Sequence, residues 1–340
     1  MRHVIAFDIG GTSLRAGIVT PRGTLLGCPL RLATPNVWTH RHLSIGRVQD
    51  QLVELIVQTT RRLQHRYPHL RLCDAGISMA GSITAQEVVR HSSGLWGNRG
   101  HNFPLLARLR RRLPLHWMVV NDMTAAAAYY GALPRFRRTR WIAVITVSSG
   151  VGSKVFDTRR GEALLDPDGI SGELGHVRID PSPEALRCEC GVRGHVQALC
   201  SGRAAERLAQ RLARKHPRRF RASRLHRLTG GRARRITTFH LAAAMRQRDP
   251  FALDVLDRVT APLAQAIAVL VGAVGIERVI VIGGFALGVG RPYLRALQRQ
   301  LTRIGCFGRS AAATRALVCL GRCGDTHALL GVGKLVRGLP

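Results

Sequence analysis

Residues 188–200 read CECGVRGHVQALC, which brings Cys188, Cys190, His195 and Cys200 into one short stretch. Thiolates and imidazole are ordinary zinc ligands, so a metal site, a redox pair and a set of structural thiols all fit these residues. Three other stretches place glycine where a chain could close around an anion: DIGGT (8–12), SSGVGS (148–153) and IGGF (282–285). Glycine lets the backbone approach an anion and point its N–H groups at phosphate oxygens. None of the three has the spacing of a dinucleotide fingerprint or of a GK[ST] phosphate loop. Asp8 stands just before the first glycine pair, and a carboxylate beside phosphates repels them unless a cation bridges; this implies Mg²⁺. The pair Asn121–Asp122 follows the apolar run WMVV and precedes an alanine-rich segment. A carboxylate at such a junction either caps a helix or accepts a proton from a substrate hydroxyl during phosphoryl transfer, with Asn121 fixing a neighbouring hydroxyl.

The elements around these residues read as strand, turn and helix in alternation. HVIAFDIGGTSLRAGIVTPRGTLLG predicts strand, glycine turn, strand, turn, strand. A helix is expected over 47–66, a strand entering a glycine-closed turn over 71–81, a helix within FPLLARLRRRLP, a strand in PLHWMVVND and a helix in MTAAAAYYGAL. WIAVITVSSGVGSKVFDTRRGEALLD then repeats the plan of the N-terminal block after about 140 residues. A long helix is expected over 251–272, followed by the strand RVIVIGG. This echo predicts an α/β protein with two lobes of common design and ligands at the strand ends. The expected division is 1–117 for the N-terminal lobe and 118–340 for the C-terminal lobe, with a last helix at 325–338 packing back toward the first.

With a formal net charge of +32, the chain attracts anionic ligands generally. The basic residues are almost all Arg, since Lys occurs only at Lys154, Lys215 and Lys334. They are spread through nearly every segment, and the densest run, 214–235, reads as a loop between helices. No specific nucleic-acid role is expected. Glycines and a charged pair interrupt the longest apolar runs, so no membrane span is expected, and the first residues lack a signal-peptide core. A cytoplasmic protein with mostly reduced cysteines follows, and Cys28, Cys73 and Cys319 are expected as small core fillers.

Taken in order, the motifs resemble those of the ROK family, which comprises sugar kinases and related repressors of the actin-like ATPase fold. DIGGTSLRAGIV resembles the family's first phosphate turn, GISMAGSI its G-I-x-x-P-G motif and VVNDMTAAAA its V-x-N-D-x-x-A-A motif. SGELGHV resembles E-x-G-H, and CECGVRGH resembles C-x-C-G-x-x-G-C. VIGGFA and LGRCGDTHALLGVG resemble the adenosine-side glycine pair and the C-terminal motif. The resemblance covers essentially the whole chain. It implies a two-lobed actin-like (ribonuclease H-like) fold with a ligand cleft between the lobes. It also implies ATP and Mg²⁺ as cofactors and a homodimer. Asp122 would be the catalytic base toward a primary hydroxyl. Asn121, Glu173, His176, Gln197, Gly81 and Ser93 would line the acceptor site. Gly10, Gly11 and Thr12, with Ser149, Gly150 and Gly152, would hold the ATP phosphates. Asp8 would organise Mg²⁺, and Gly283 and Gly284 would lie near the adenosine. A structural zinc would be held by His176, Cys188, Cys190 and His195.

The sequence departs from the family pattern at informative places. His195 replaces a cysteine, Gln197 replaces a sugar-binding glutamate, and Ser93 stands where an asparagine is usual. The second turn reads SSGVGSK, which places Ser149 and Lys154 near the nucleotide. An amide donates as well as accepts but is not an anionic acceptor. The expected function is therefore ATP-dependent phosphorylation of the primary hydroxyl of a hexose-like acceptor, with a C7-cyclitol suiting Gln197. Glucokinase or N-acylhexosamine kinase activity is the alternative within the class. A non-catalytic sugar-binding regulator is the alternative outside it, against which the presence of Asp122 counts. A repressor would carry a helix-turn-helix before the first strand, and that strand is expected from about residue 3.

Overall fold

The computed structural model describes residues 2–97, 100–322, 324 and 326–338; Cys323 and Asp325 of the C-terminal motif lie outside the described residues. The chain divides into two units. The first comprises 1–140, 154–172 and 324–340, and the second comprises 141–153 and 173–323.

Unit 1 begins with strands β1 (Val4–Ile9), β2 (Ser13–Val19) and β3 (Leu25–Ala33), then helix α1 (Ile45–Arg66) and β4 (Asp74–Met79). A small hairpin, β5 (Ser82–Ile83) and β6 (Val89–His91), leads to α2 (Ser93–Trp96), α3 (Leu105–Arg110), β7 (His116–Asn121) and α4 (Asp122–Gly131). The sheet order is β3-β2-β1-β4-β7. β1 runs antiparallel to β2 and parallel to β4, which in turn is parallel to β7. Every residue of β1 is buried, as expected for a strand covered on both faces. Its alternation divides the core. Ile5, Phe7 and Ile9 join Leu52, Ile56 and Leu109 on the α1 and α3 side. Ala6 joins Ala125, Leu329 and Val332 on the other.

The sequence echo corresponds to a repeated topology. β8 (Trp141–Val147), β9 (Val151–Asp157) and β10 (Glu162–Ala163) form the second strand-turn-strand block, and the unit boundary falls within β9. Unit 2 continues with α5 (Val196–Cys200), α6 (Gly202–Lys215), α7 (Pro217–Arg221), α8 (Arg224–Leu228), α9 (Thr238–Arg246) and α10 (Pro250–Val274). It is completed by β11 (Arg278–Ile282), α11 (Gly284–Val289), α12 (Arg291–Ile304), α13 (Ala311–Leu317) and β12 (Val318–Leu320). The second sheet has the order β10-β9-β8-β11-β12, and β11 is parallel to both β8 and β12. A last helix, α14 (His327–Val336), packs on α4, β1 and β4 within unit 1.

The structure departs from the sequence expectations at several points. The first unit runs past residue 117 because β7 is hydrogen-bonded to β4 along its length, which carries α4 with it. The arginine-dense stretch 214–235 is not a loop: Phe220 and Leu225 are buried, and Ser223 caps α8 through the His226 N–H. Asp249 accepts the Arg224 N–H at 2.7 Å, tying the same segment to the start of α10. Cys28 is exposed rather than a core filler, because β3 is the edge strand of its sheet, while Cys73 and Cys319 are half-buried. Lys154 is fully buried, with its ammonium donating to the carbonyls of Ser171 and Gly169. It lies within β9, past the turn, and so faces its own loop rather than presenting charge at the glycines. α10 is the one helix among the described residues long and apolar enough to cross a membrane; half of its most apolar window is buried, as in a core helix.

Candidate active site

In unit 1 the predicted residues gather at the carboxyl ends of β1, β4 and β7, where open α/β sheets bind ligands. The turn after β1 is closed by the Gly10 N–H donating to the Ser13 carbonyl at 3.0 Å. A Cβ on Gly11 would stand 2.9 Å from the Gly94 carbonyl oxygen, so this turn abuts the start of α2. Asn36 Nδ2 donates to the Gly11 carbonyl at 2.9 Å, and its Oδ1 accepts from the Trp38 and Thr39 N–H groups. Asn36 is buried, and the sequence reading missed it; an isolated Asn after a proline carries no chemical signal. Thr12 is exposed beside the glycines. Asp8, the carboxylate expected to organise Mg²⁺, is buried at the end of β1. It accepts from Ser78 Oγ at 3.2 Å and pairs with the Arg15 guanidinium at 3.2 Å. A cation drawn to Asp8 would share it with Arg15.

Asn121 and Asp122 divide two tasks. Asn121 is the N-cap of α4, its Oδ1 accepting from Met123 and Thr124 N–H at 2.8 and 3.3 Å. Its Nδ2 donates to the Gly81 carbonyl at 2.8 Å, joining the ends of β7 and β4. Asp122, in the first turn, accepts from the Met123 N–H at 2.9 Å. A helix N-terminus favours negative charge there. Gly81 has φ +149, and a Cβ would meet the His91 carbonyl oxygen at 2.3 Å, so the position admits no side chain. Ser92 Oγ donates to the Ala80 carbonyl at 2.6 Å, which leaves the neighbouring Ser93 exposed at the start of α2. Thus Gly10–Thr12, Gly81, Ser93, Asn121 and Asp122 share one edge of one sheet.

In unit 2 the turn 148–152 is closed by the Ser148 N–H donating to Gly150 at 2.9 Å, and the Gly202 N–H donates to Ser148 at 2.7 Å. Ser148 and Ser149 line a pocket of about 390 Å³ together with Gly284, Phe285 and Gly288. The second turn and the Gly283–Gly284 pair, far apart in sequence, therefore meet. Arg203 and Glu206 of α6 and Thr238, Phe239, Ala242 and Arg246 of α9 complete the wall. None of these six was singled out from sequence, since each sits in an ordinary amphipathic helix. In the structure Phe239 stands out as an aromatic ring 85% exposed at the pocket. A flat apolar ring beside cationic side chains and a glycine turn suits a nucleoside with phosphates attached.

Glu173, His176 and Gln197 belong to the same unit. Segment 173–176 lies against the start of β9: the Leu174 N–H donates to Ser153 Oγ at 3.1 Å, and a Cβ on Gly175 would stand 2.2 Å from the Val151 carbonyl oxygen. Gln197 Oε1 accepts from the Val151 N–H at 3.1 Å, while its Nε2 stands 3.8 Å from Cys188 Sγ. His176, Cys188, Cys190 and His195 offer ligand atoms that all lie within 4.8 Å of one another. The Nδ1 atoms of His176 and His195 are 3.4 Å apart. Cys188 Sγ is 3.9 Å from His176 Nδ1, and Cys190 Sγ is 3.2 Å from His195 Nδ1. Tetrahedral zinc, with Zn–N about 2.0 and Zn–S about 2.3 Å, spaces its ligand atoms roughly 3.3–3.8 Å apart, so this donor set fits zinc. Burial lowers His195 below the ordinary imidazole value, with the His176 ring and Arg178 adding to it, so the neutral ligand form is favoured. Burial pushes the Cys188 thiol up, which makes thiolate at this position dependent on a cation. Cys200 stands outside the cluster: it is fully buried, its thiol donates to the Val196 carbonyl at 3.0 Å, and burial raises its pKa strongly.

The duplicated strand-turn-strand blocks, each bearing a glycine turn, define an actin-like ATPase fold. The ROK family profile matches residues 4–338, and the chain belongs to the ROK family. It is 36% identical to the C(7)-cyclitol 7-kinase of Streptomyces hygroscopicus subsp. jinggangensis over 332 residues, 98% of this chain and 93% of that protein. It is 32% identical to the 2-epi-5-epi-valiolone 7-kinase of an Actinoplanes strain over 314 residues, 89% of this chain and 83% of that protein. Among solved structures it is similar to a ROK family glucokinase from Streptomyces griseus in complex with glucose and AMPPNP. There the TM-score is 0.73 at 26% identity, covering 98% of this chain and 99% of the other.

Proposed function

We propose that the protein is an ATP-dependent kinase that phosphorylates the primary hydroxyl of a C7-cyclitol, with Asp122 as general base. The observation that carries this reading is the position of Asp122. It opens α4 at the sheet edge that also holds the Gly10–Thr12 turn, while Asn121 takes over the capping role. Asp122 accepts the hydroxyl proton as the acceptor oxygen bonds to the γ-phosphorus and the bond to the ADP oxygen breaks. In this reading the remaining backbone N–H groups of each glycine turn would donate to phosphate oxygens, and Mg²⁺ near Asp8 would offset the phosphate charge. Phe239 and the Gly283–Gly284 pair receive the nucleoside. Asn121, Glu173 and His176, with Gly81 and Ser93, orient the acceptor. Zinc held by His176, Cys188, Cys190 and His195 would fix the segment that carries Glu173; its contribution is structural. Two relatives, named C(7)-cyclitol 7-kinase and 2-epi-5-epi-valiolone 7-kinase and each matching most of this chain, support the choice of acceptor over glucose. None of the seven described cysteines is paired in a disulfide, in keeping with a reducing compartment, and the enzyme is taken to be a cytoplasmic homodimer.

The test is an ATP-coupled panel of C7-cyclitols, hexoses and hexosamines. A cyclitol with the highest kcat/KM is expected. Glucose turned over efficiently with the cyclitols inert would overturn the acceptor, and no ADP formation with any alcohol would overturn the kinase.

A further inference from the structure

Gln197 makes two contacts that a single side-chain type satisfies. The Val151 N–H only donates, so the amide oxygen must face it, at 3.1 Å. That orientation turns the NH₂ group toward Cys188 Sγ, at 3.8 Å. A glutamate would accept from Val151 equally well but would set a carboxylate against the sulfur. A leucine would make neither bond. Amide donation to a metal-bound thiolate is a recurrent way of holding such a ligand.

The same short strand is gripped from the other arm of the metal cluster. Leu174 and Gly175, the two residues before His176, bond Ser153 and cover the Val151 carbonyl. Gln197 lies two residues beyond His195, and its oxygen fills the space that a Cβ on Gly150 would enter, 2.8 Å away. Both arms of the cluster therefore close on the 150–153 segment, and Gln197 is the side chain that touches cluster and turn at once.

We infer that Gln197 is a positioning residue that couples the metal cluster to the phosphate-binding turn, holding Ser148–Gly152 in its receiving shape only while Cys188 is fixed. Its relevance to turnover rests on the reading of that turn as the nucleotide site. The glutamine thus serves the nucleotide side of the reaction rather than the hydroxyls of the acceptor.

The test follows hydrogen exchange of the Val151 amide and calorimetric affinity for AMPPNP. Both are measured in zinc-loaded and chelator-treated protein, for wild type, Gln197→Leu and Gln197→Glu. In wild type, chelation should speed Val151 exchange about fivefold to tenfold, as for one lost hydrogen bond, and weaken AMPPNP by a similar factor. Gln197→Leu should start with fast exchange and weak AMPPNP binding, and neither should respond further to the chelator. Gln197→Glu should keep slow exchange when zinc-loaded but release zinc about 10–100-fold more readily. Wild-type exchange indifferent to the chelator, or Gln197→Leu still responding like wild type, would overturn the coupling, as would a wild type that takes up no zinc. Should Gln197→Leu not fold, an unchanged zinc affinity in Gln197→Glu overturns it alone. Coupled exchange with AMPPNP affinity unmoved in every protein would leave the coupling standing and remove the turn from the nucleotide site.

Discussion

The two glycine turns sit at equivalent places in two sheets of the same strand order, yet they are held by different means. The first, 10–12, is fixed within unit 1: a backbone bond from Gly10 to Ser13, the Asn36 side-chain amide on the Gly11 carbonyl, and the Gly94 backbone. Apart from the Gly10 bond these contacts are long-range in sequence, but none of the three comes from a titratable side chain or from the metal cluster. The second, 148–152, leans on the start of α6 through Gly202 and on Gln197, and through Gln197 on a thiol of the metal cluster. A duplicated plan thus carries one self-sufficient turn, held without the metal cluster, and one conditional turn that is tied to it. The difference lies in side chains several elements away, not in the glycines themselves.

The largest test of this contrast is Asp122→Asn. It removes the base from the edge of the self-sufficient turn without touching unit 2. It should lower kcat about 10²–10⁴-fold while AMPPNP affinity stays within twofold of wild type, read by steady-state kinetics and calorimetry. An unchanged kcat would remove Asp122 from the chemistry. Next comes Cys190→Ser, which should weaken zinc binding by more than about 100-fold and loosen the 148–152 turn. Exchange at the 10–12 turn should stay as in wild type; parallel loosening of both turns would break the contrast.

The paired substitutions Gly11→Ala and Gly150→Ala sharpen it further. A Cβ meets backbone at position 11 but only the end of a flexible side chain at position 150. Gly11→Ala should therefore cost roughly 1–3 kcal/mol in thermal or denaturant unfolding, and Gly150→Ala clearly less, its effect appearing in AMPPNP affinity instead. The smallest effect is expected for Phe239→Ala, a loss of about 0.5–1.5 kcal/mol of AMPPNP binding with kcat at saturating ATP preserved. No change in affinity would take the ring out of the nucleotide pocket.

Much of this was legible in the sequence because it rests on local signals. Apolar runs ending in glycine gave β1, β4, β8 and β11 with the turns that follow three of them. The ordered motifs gave the metal set, whose four residues offer ligand atoms within 4.8 Å of one another. What escaped depended on contacts between distant segments. The unit boundary moved past β7 because pairing with β4, not composition, assigns that strand. Lys154 reads as a cation near phosphates and is instead consumed by two carbonyls of its own loop. Phe239, Arg203 and Arg246 belong to helices whose pattern says only that one side is wet. Gln197 was singled out for what it lacks, a negative charge, whereas its contact with Cys188 depends on what it gains, a donor.

The place of α14 has a consequence for biosynthesis. Its residues are made after all of unit 2, yet they cover β1, β2 and β4, which are made before it. The apolar face formed by Ala6, Val19 and Ala125 is covered by Ala328, Leu329 and Val332 of α14, with Leu330 and Val336 packed against them. On the ribosome, unit 2 has its whole sequence available while the first sheet still waits with that face uncovered. The nascent chain is therefore exposed to misassociation for longest through its earliest strands. A stop codon just before residue 327 would leave unit 2 with all its elements and unit 1 with an open side, a prime target for chaperones and proteases.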